Sequence, residues 1–230
     1  MRSVNITALV ISSAARNLHP LRTAASALIG LTLSACGSLP PSPAPESPAG
    51  PSARAVQAPV APVDAQAARE FEAALAALRA GRFADAEQRF RALTRAYPEL
   101  AGPHANLGIA CYRQNKLSDA TAALNQAIRL NPKQAAYYNA LGIVHRHAGE
   151  FERAREAYAN ALALDPVYAK AHLNLGILYD LYLRDADKAL QHYTRYQELL
   201  PSAEEPVGKW IVDLQRRRPT ADRGGKEERG

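Results

Sequence analysis

The chain has 230 residues, 47% of them apolar but only 7% aromatic, and a formal net charge of +6. Abundant Ala with few aromatics argues against a sheet-rich core and for close-packed helices, in one or two domains. Three of the cations, Arg2, Arg16 and Arg22, lie in residues 1–35, which hold no acid, so the remainder carries +3, weak grounds for a nucleic acid or an anionic surface as partner.

The first element is an address. Thr23 to Ala35, TAASALIGLTLSA, is a short apolar run preceded by Arg16, His19 and Arg22. As a helix it spans roughly 20 Å, less than the ~30 Å core of a bilayer. A basic region followed by such a run reads as a secretory signal peptide over residues 1–35. Leu33-Ser34-Ala35-Cys36 resembles the bacterial lipobox. The resemblance implies cleavage before Cys36 and lipidation of its thiol, and Gly37, standing where an Asp signals inner-membrane retention, implies the outer membrane, facing the periplasm. Two or more acyl chains anchor stably where one does not. Residues 36–64 follow as a Pro/Ala/Ser-rich tether with too few large apolar side chains to form a core. Eight of the chain's 16 prolines lie between Pro40 and Pro62.

From residue 65 the chain becomes periodic. Leu-Gly-Ile occurs at 107–109, 141–143 and 175–177, 34 residues apart. Pro98, Pro132 and Pro166 keep the same interval, and Pro201 follows one residue late. Ala86, Ala120, Ala154 and Ala189 share the beat, as do Phe90, Leu124, Tyr158 and Tyr193. Gly81, Asn115 and Gly149 stand between two helical stretches, where a left-handed residue ends the first helix. The second helix must stop before its Pro. Each unit therefore reads helix, tight turn, helix, X-Pro, with small residues placed so that the two helices approach closely.

This pattern resembles the tetratricopeptide repeat, L-G-x-x-Y, A-x-x-x-F and P on a 34-residue period. The resemblance implies an all-α, right-handed α-solenoid of four helix pairs (67–100, 101–134, 135–168 and 169–203), with a cap helix over 203–217, within a repeat domain at 65–217. The first unit departs most, with Ala73 and Ala74 where Leu-Gly is expected. The fourth holds one extra residue between Tyr179 and Ala189, which predicts a longer first helix or a bulged turn. In the cap, Ser202 and Glu205 suggest a capping box, and Val207, Trp210, Ile211 and Leu214 lie on one helical face, Trp210 as a core anchor. Arg216 to Arg218, diluted by Asp213, Asp222, Glu227 and Glu228, read as a solvated helix end; residues 218–230 read as a disordered tail. Cys111 reads as a small core residue.

The family resemblance assigns the first helix of each unit to a concave binding face. It carries onto Asn106, Ile109, Tyr112, Arg113, Asn139, Ile143, Arg146, Lys170, Asn174, Ile177 and Asp180 as peptide contacts. Asn106 and Asn174 could hold a peptide backbone by their amides, and Arg113, Arg146 and Lys170 could attract a carboxylate. No nucleophile–base arrangement, phosphate loop or zinc spacing stands out; no cofactor and no metal is expected. His104 and His172 occupy equivalent repeat positions and read as structural. Two functions remain open: a non-catalytic, lipid-anchored adaptor that captures a peptide or protein segment for assembly of a pilus, secretion pore or cell-wall machine, similar to pilotin-type lipoproteins, or an accessory subunit of an envelope transport or energy-transduction system docking by its convex face.

Overall fold

A computed structural model describes residues 65–202 and 204–217. The signal peptide, Cys36, the Pro-rich tether and residues 218–230 lie outside the described residues. Within them all regular structure is helical. Four pairs follow in order: α1 (Ala65–Arg79) with α2 (Phe83–Ala96), α3 (Ala101–Arg113) with α4 (Leu117–Leu130), α5 (Ala135–His147) with α6 (Phe151–Leu164), and α7 (Ala169–Leu178) with α8 (Ala186–Glu198). The cap is α9 (Glu205–Arg217).

The repeated residues fix the joints. Gly81, Asn115 and Gly149 adopt φ of 76°, 61° and 79°. The next amide folds back toward the helix it has just left: Arg82 N donates to Ala77 O, Lys116 N to Cys111 O and Glu150 N to His145 O, at 3.0, 3.0 and 2.9 Å. These bonds satisfy carbonyls that the helix end would leave open. In the fourth unit the extra residue is absorbed by a π-helical turn, Tyr179–Leu183, and the left-handed position falls on Arg184, at φ 55°. A π-turn is a common way to take in one residue without breaking a helix.

A second latch joins the units. In the second, third and fourth repeats the fourth residue reaches back to the carbonyl of the preceding Pro: His104 Nε2 to Pro98 O, Tyr138 OH to Pro132 O and His172 Nε2 to Pro166 O, each 3.1 Å. A carbonyl can only accept, so both imidazoles carry their proton on Nε2. This is the structural role expected of His104 and His172.

One apolar cluster runs from Phe71 to Leu214. Its tightest points are the paired helices of each unit. A methyl on Gly142 would sit 2.5 Å from the Tyr158 ring, on Gly176 2.6 Å from the Tyr193 ring, and on Gly108 2.7 Å from Leu124 Cγ. In the first unit, where Ala74 replaces the Gly, Phe71 and Phe90 meet edge-on at 5.8 Å. Units 1 and 2 also share a buried carboxylate. Glu87, 5% exposed, accepts from Lys116 Nζ and Gln114 Nε2 at 2.7 Å and pairs with Arg91 at 2.9 Å.

The cap differs in detail from its reading in sequence. Val207 and Leu214 are the side chains α9 buries, and Trp210 is half-buried with its ring 5.6 Å from Tyr193. Gln197, rather than a Ser202–Glu205 box, holds the entry to α9, donating to Glu204 O at 2.7 Å and accepting from Glu204 N at 2.8 Å.

Gly142→Ala tests the close approach. In an open helix the change would stabilise by up to about 1 kcal/mol. Against the Tyr158 ring it should instead cost about 1–3 kcal/mol in denaturant unfolding.

Candidate functional site

The first helices line one side of the stack. α3 packs against α1 and α5, and α5 against α7, while no second helix among the described residues packs comparably on that of the next unit. Pairs drawn together along one side curve toward it, so the first helices form the inner face.

That face has a sealed floor and a polar rim. Seven of the eleven side chains expected to meet a peptide are buried: Asn106, Ile109, Asn139, Ile143, Asn174, Ile177 and Asp180. Packing within the stack covers them. Asn106 donates from Nδ2 to Gly102 O at 3.0 Å, and Asn174 Nδ2 donates to Asn139 Oδ1 at 2.9 Å across the joint between units 3 and 4. These amides bind the protein to itself. Asp180 is engaged as well, accepting from Tyr193 OH at 3.3 Å and from Arg217 of the cap at 3.2 Å.

Tyr112, Arg113, Arg146 and Lys170 remain accessible. Three of them gather at the C-terminal ends of α3 and α5. Arg113 lies 4.3 Å over the Phe83 ring, and Tyr112 meets His147 edge-on at 5.4 Å. Tyr182 of the π-turn, 43% exposed, stacks on Phe151 at 4.7 Å. Burial pushes the Tyr112 phenol above its ordinary value, and Arg146 and Arg113 draw it partly back. Lys170 stands apart, at the start of α7. Sequence reasoning did not single out Tyr182 at the rim or the buried Tyr158. Tyr158 was legible only as a core filler; that its ring carries a hydroxyl needing a partner was the available signal.

Two other polar clusters are structural. Glu87, Cys111 and Asp119 converge within 4.8 Å. Glu87 is already saturated by Lys116, Gln114 and Arg91, and burial pushes the Cys111 thiol up to about 11. A cation there would have to displace three donors. His172 and His192 meet Nδ1 to Nδ1 at 3.1 Å. With the His172 proton on Nε2, His192 is the donor; burial, aided by His172, lowers His192 to about 4.

The family model for the tetratricopeptide repeat matches residues 71–135, 105–163 and 139–204. The chain is a tetratricopeptide repeat protein. No curated protein matches it. Among solved structures, this repeat protein is similar to one from Pseudomonas aeruginosa, described as a functional characterization of pilF, at 19% identity and a TM-score of 0.60 over 65% of this chain and 68% of that one. It is similar to TTC0263, a thermophilic repeat protein of Thermus thermophilus, at 24% identity and 0.57 over 65% and 81%. It is also similar to YrrB, described as having an unusual peptide-binding site, at 20% identity and 0.54 over 64% and 74%. At these identities the likeness is one of fold.

Asn106→Ala should lower stability by about 1–2 kcal/mol, since it removes a buried amide and its bond to Gly102. A thermal melt unchanged from the parent would place that amide at the surface instead.

Proposed function

We propose that this repeat protein is a non-catalytic scaffold that receives a segment of a protein partner along its concave face, for assembly of an envelope complex. The observation that carries the reading is the rim at the ends of α3 and α5. There aromatic and cationic side chains, Tyr112, Arg113 and Arg146, stand accessible over a floor that is otherwise sealed. Exposed aromatic and Arg side chains around a rigid surface are the groups that most often anchor a protein interface. YrrB, a repeat protein of similar fold, is described as having a peptide-binding site, which supports the reading.

The second reading, docking by the convex face, has its own support. A recess of about 380 Å³ opens between α4, α5 and α6, lined by Asn125, Tyr138, Arg153 and Asn160 among others. Photo-crosslinking separates the two. A benzophenone side chain placed at Arg113 or Lys170 should trap partner protein in cells, and one placed at Arg153 or Asn160 should not. The reverse pattern would move the partner to the outer face.

In this proposal the protein works from the outer membrane, held by lipid on Cys36 and spaced from the bilayer by the Pro-rich tether. No helix among the described residues is long and apolar enough to cross a membrane. The Cys36→Ser chain should appear in the soluble periplasmic fraction, and membrane attachment that persists would remove the lipid anchor from the account.

A further inference from the structure

The third and fourth repeats carry the same tyrosine in the same place, with different surroundings. Tyr158 lies across Gly142 as Tyr193 lies across Gly176. In the fourth repeat the hydroxyl finds a carboxylate: Tyr193 OH donates to one oxygen of Asp180, and Arg217 donates to the other. The Asp180 side chain is only 1% exposed, so this carboxylate is shielded and saturated. Asp180 is the twelfth residue of its repeat. The twelfth residue of the third repeat is Arg146.

The third repeat therefore has two donors and no acceptor. Tyr158 is fully buried, and its hydroxyl has no hydrogen-bond partner. The Arg146 guanidinium makes no hydrogen bond or ion pair among the described residues, while its backbone carbonyl serves the helix end. Arg146 holds the repeat position from which Asp180 meets Tyr193, and with Tyr112 and Tyr182 it is one of the rim groups whose charge or dipole acts on the Tyr158 hydroxyl. A buried hydroxyl without a partner has lost its bonds to water and gained none in exchange. An anion that accepted from it, and paired with the Arg146 guanidinium, would make good that loss.

We propose that the Tyr158 hydroxyl and the Arg146 guanidinium form a carboxylate subsite, taking an Asp or Glu side chain from an acidic segment of the partner, as Asp180 is taken between Tyr193 and Arg217. This rests on the concave-face reading above. The neighbouring Arg113 adds charge of the matching sign. Arg146 and Tyr112 are half-buried and Tyr182 is exposed, so the rim side chains around the buried hydroxyl are themselves open to solvent. A carboxylate is favoured over a neutral amide because it offers two accepting oxygens, one for each donor, and its charge pairs with the guanidinium, whereas an amide offers one oxygen and brings an NH2 that neither donor can satisfy.

The test uses the full chain and a fluorescein-labelled octaglutamate peptide, with octaglutamine as control, in fluorescence polarisation at low ionic strength, where surface charge is least screened. Octaglutamate should bind and octaglutamine should not. Tyr158→Phe, which keeps the ring over Gly142, should weaken octaglutamate binding about tenfold, the scale of one hydrogen bond to a charged group. Its melting temperature should hold or rise, because an unpaired hydroxyl is removed. Arg146→Gln should weaken binding at least as much, and Arg153→Gln, the same charge lost from a second helix, less than about twofold. Wild-type affinity in Tyr158→Phe, or equal losses from Arg146→Gln and Arg153→Gln, would overturn the subsite and leave only diffuse charge. Absence of octaglutamate binding to the parent chain would overturn it too; crosslinking from Arg113 would still stand, so the two readings fail separately.

Discussion

The whole stack depends on one helix backbone lying bare against a large side chain of its partner helix. Gly108, Gly142 and Gly176 present bare backbone to Leu124, Tyr158 and Tyr193, at separations that a single methyl would close. Dispersion contacts are weak singly and fall off quickly with distance, so a ring flat against a helix gains far more than one held a methyl away. Because that contact recurs every 34 residues, the rest of each unit is arranged around it. The left-handed turn brings the second helix back at the required angle, and the X-Pro stop releases the chain to begin the next pair. No unit has enough apolar surface of its own; the main cluster, from Phe71 to Leu214, belongs to the array.

This architecture was legible because its determinants are local and periodic. Three independent series agreed in phase, the Leu-Gly-Ile runs, the small residues of the second helix and the prolines. Even the irregularity at Tyr179–Leu183 was announced by one surplus residue, although only the structure shows it taken up as a π-turn. The inner face was less legible. A repeat position specifies which way a side chain points, but not how near the next unit lies. At Asn106, Asn139 and Asn174 packing within the stack buries amides that would otherwise be open to a ligand. Trp210 shows the same limit in the cap: its face was right, but Val207 and Leu214 reach deeper.

Buried carboxylates mark both ends of the array. Glu87 ties the first unit to the second through Lys116 and Gln114, and Asp180 ties the fourth to α9 through Arg217. Ion pairs of this kind add little net stability, since desolvation consumes most of the attraction, but a misaligned neighbour would leave a charge uncompensated. They hold register where apolar surfaces alone would tolerate sliding. The middle of the stack relies on the Asn139–Asn174 contact, which is neutral.

The clasp from the fourth residue of the second, third and fourth repeats to the preceding prolyl carbonyl has a mechanical meaning. His104, Tyr138 and His172 each pin the segment at which successive pairs could pivot. Each bond lies at the surface and competes with water, so together they bias the coil toward one pitch without locking it. A chain lying along such a coil would meet its contacts at intervals of one repeat, as against the graduations of a ruler.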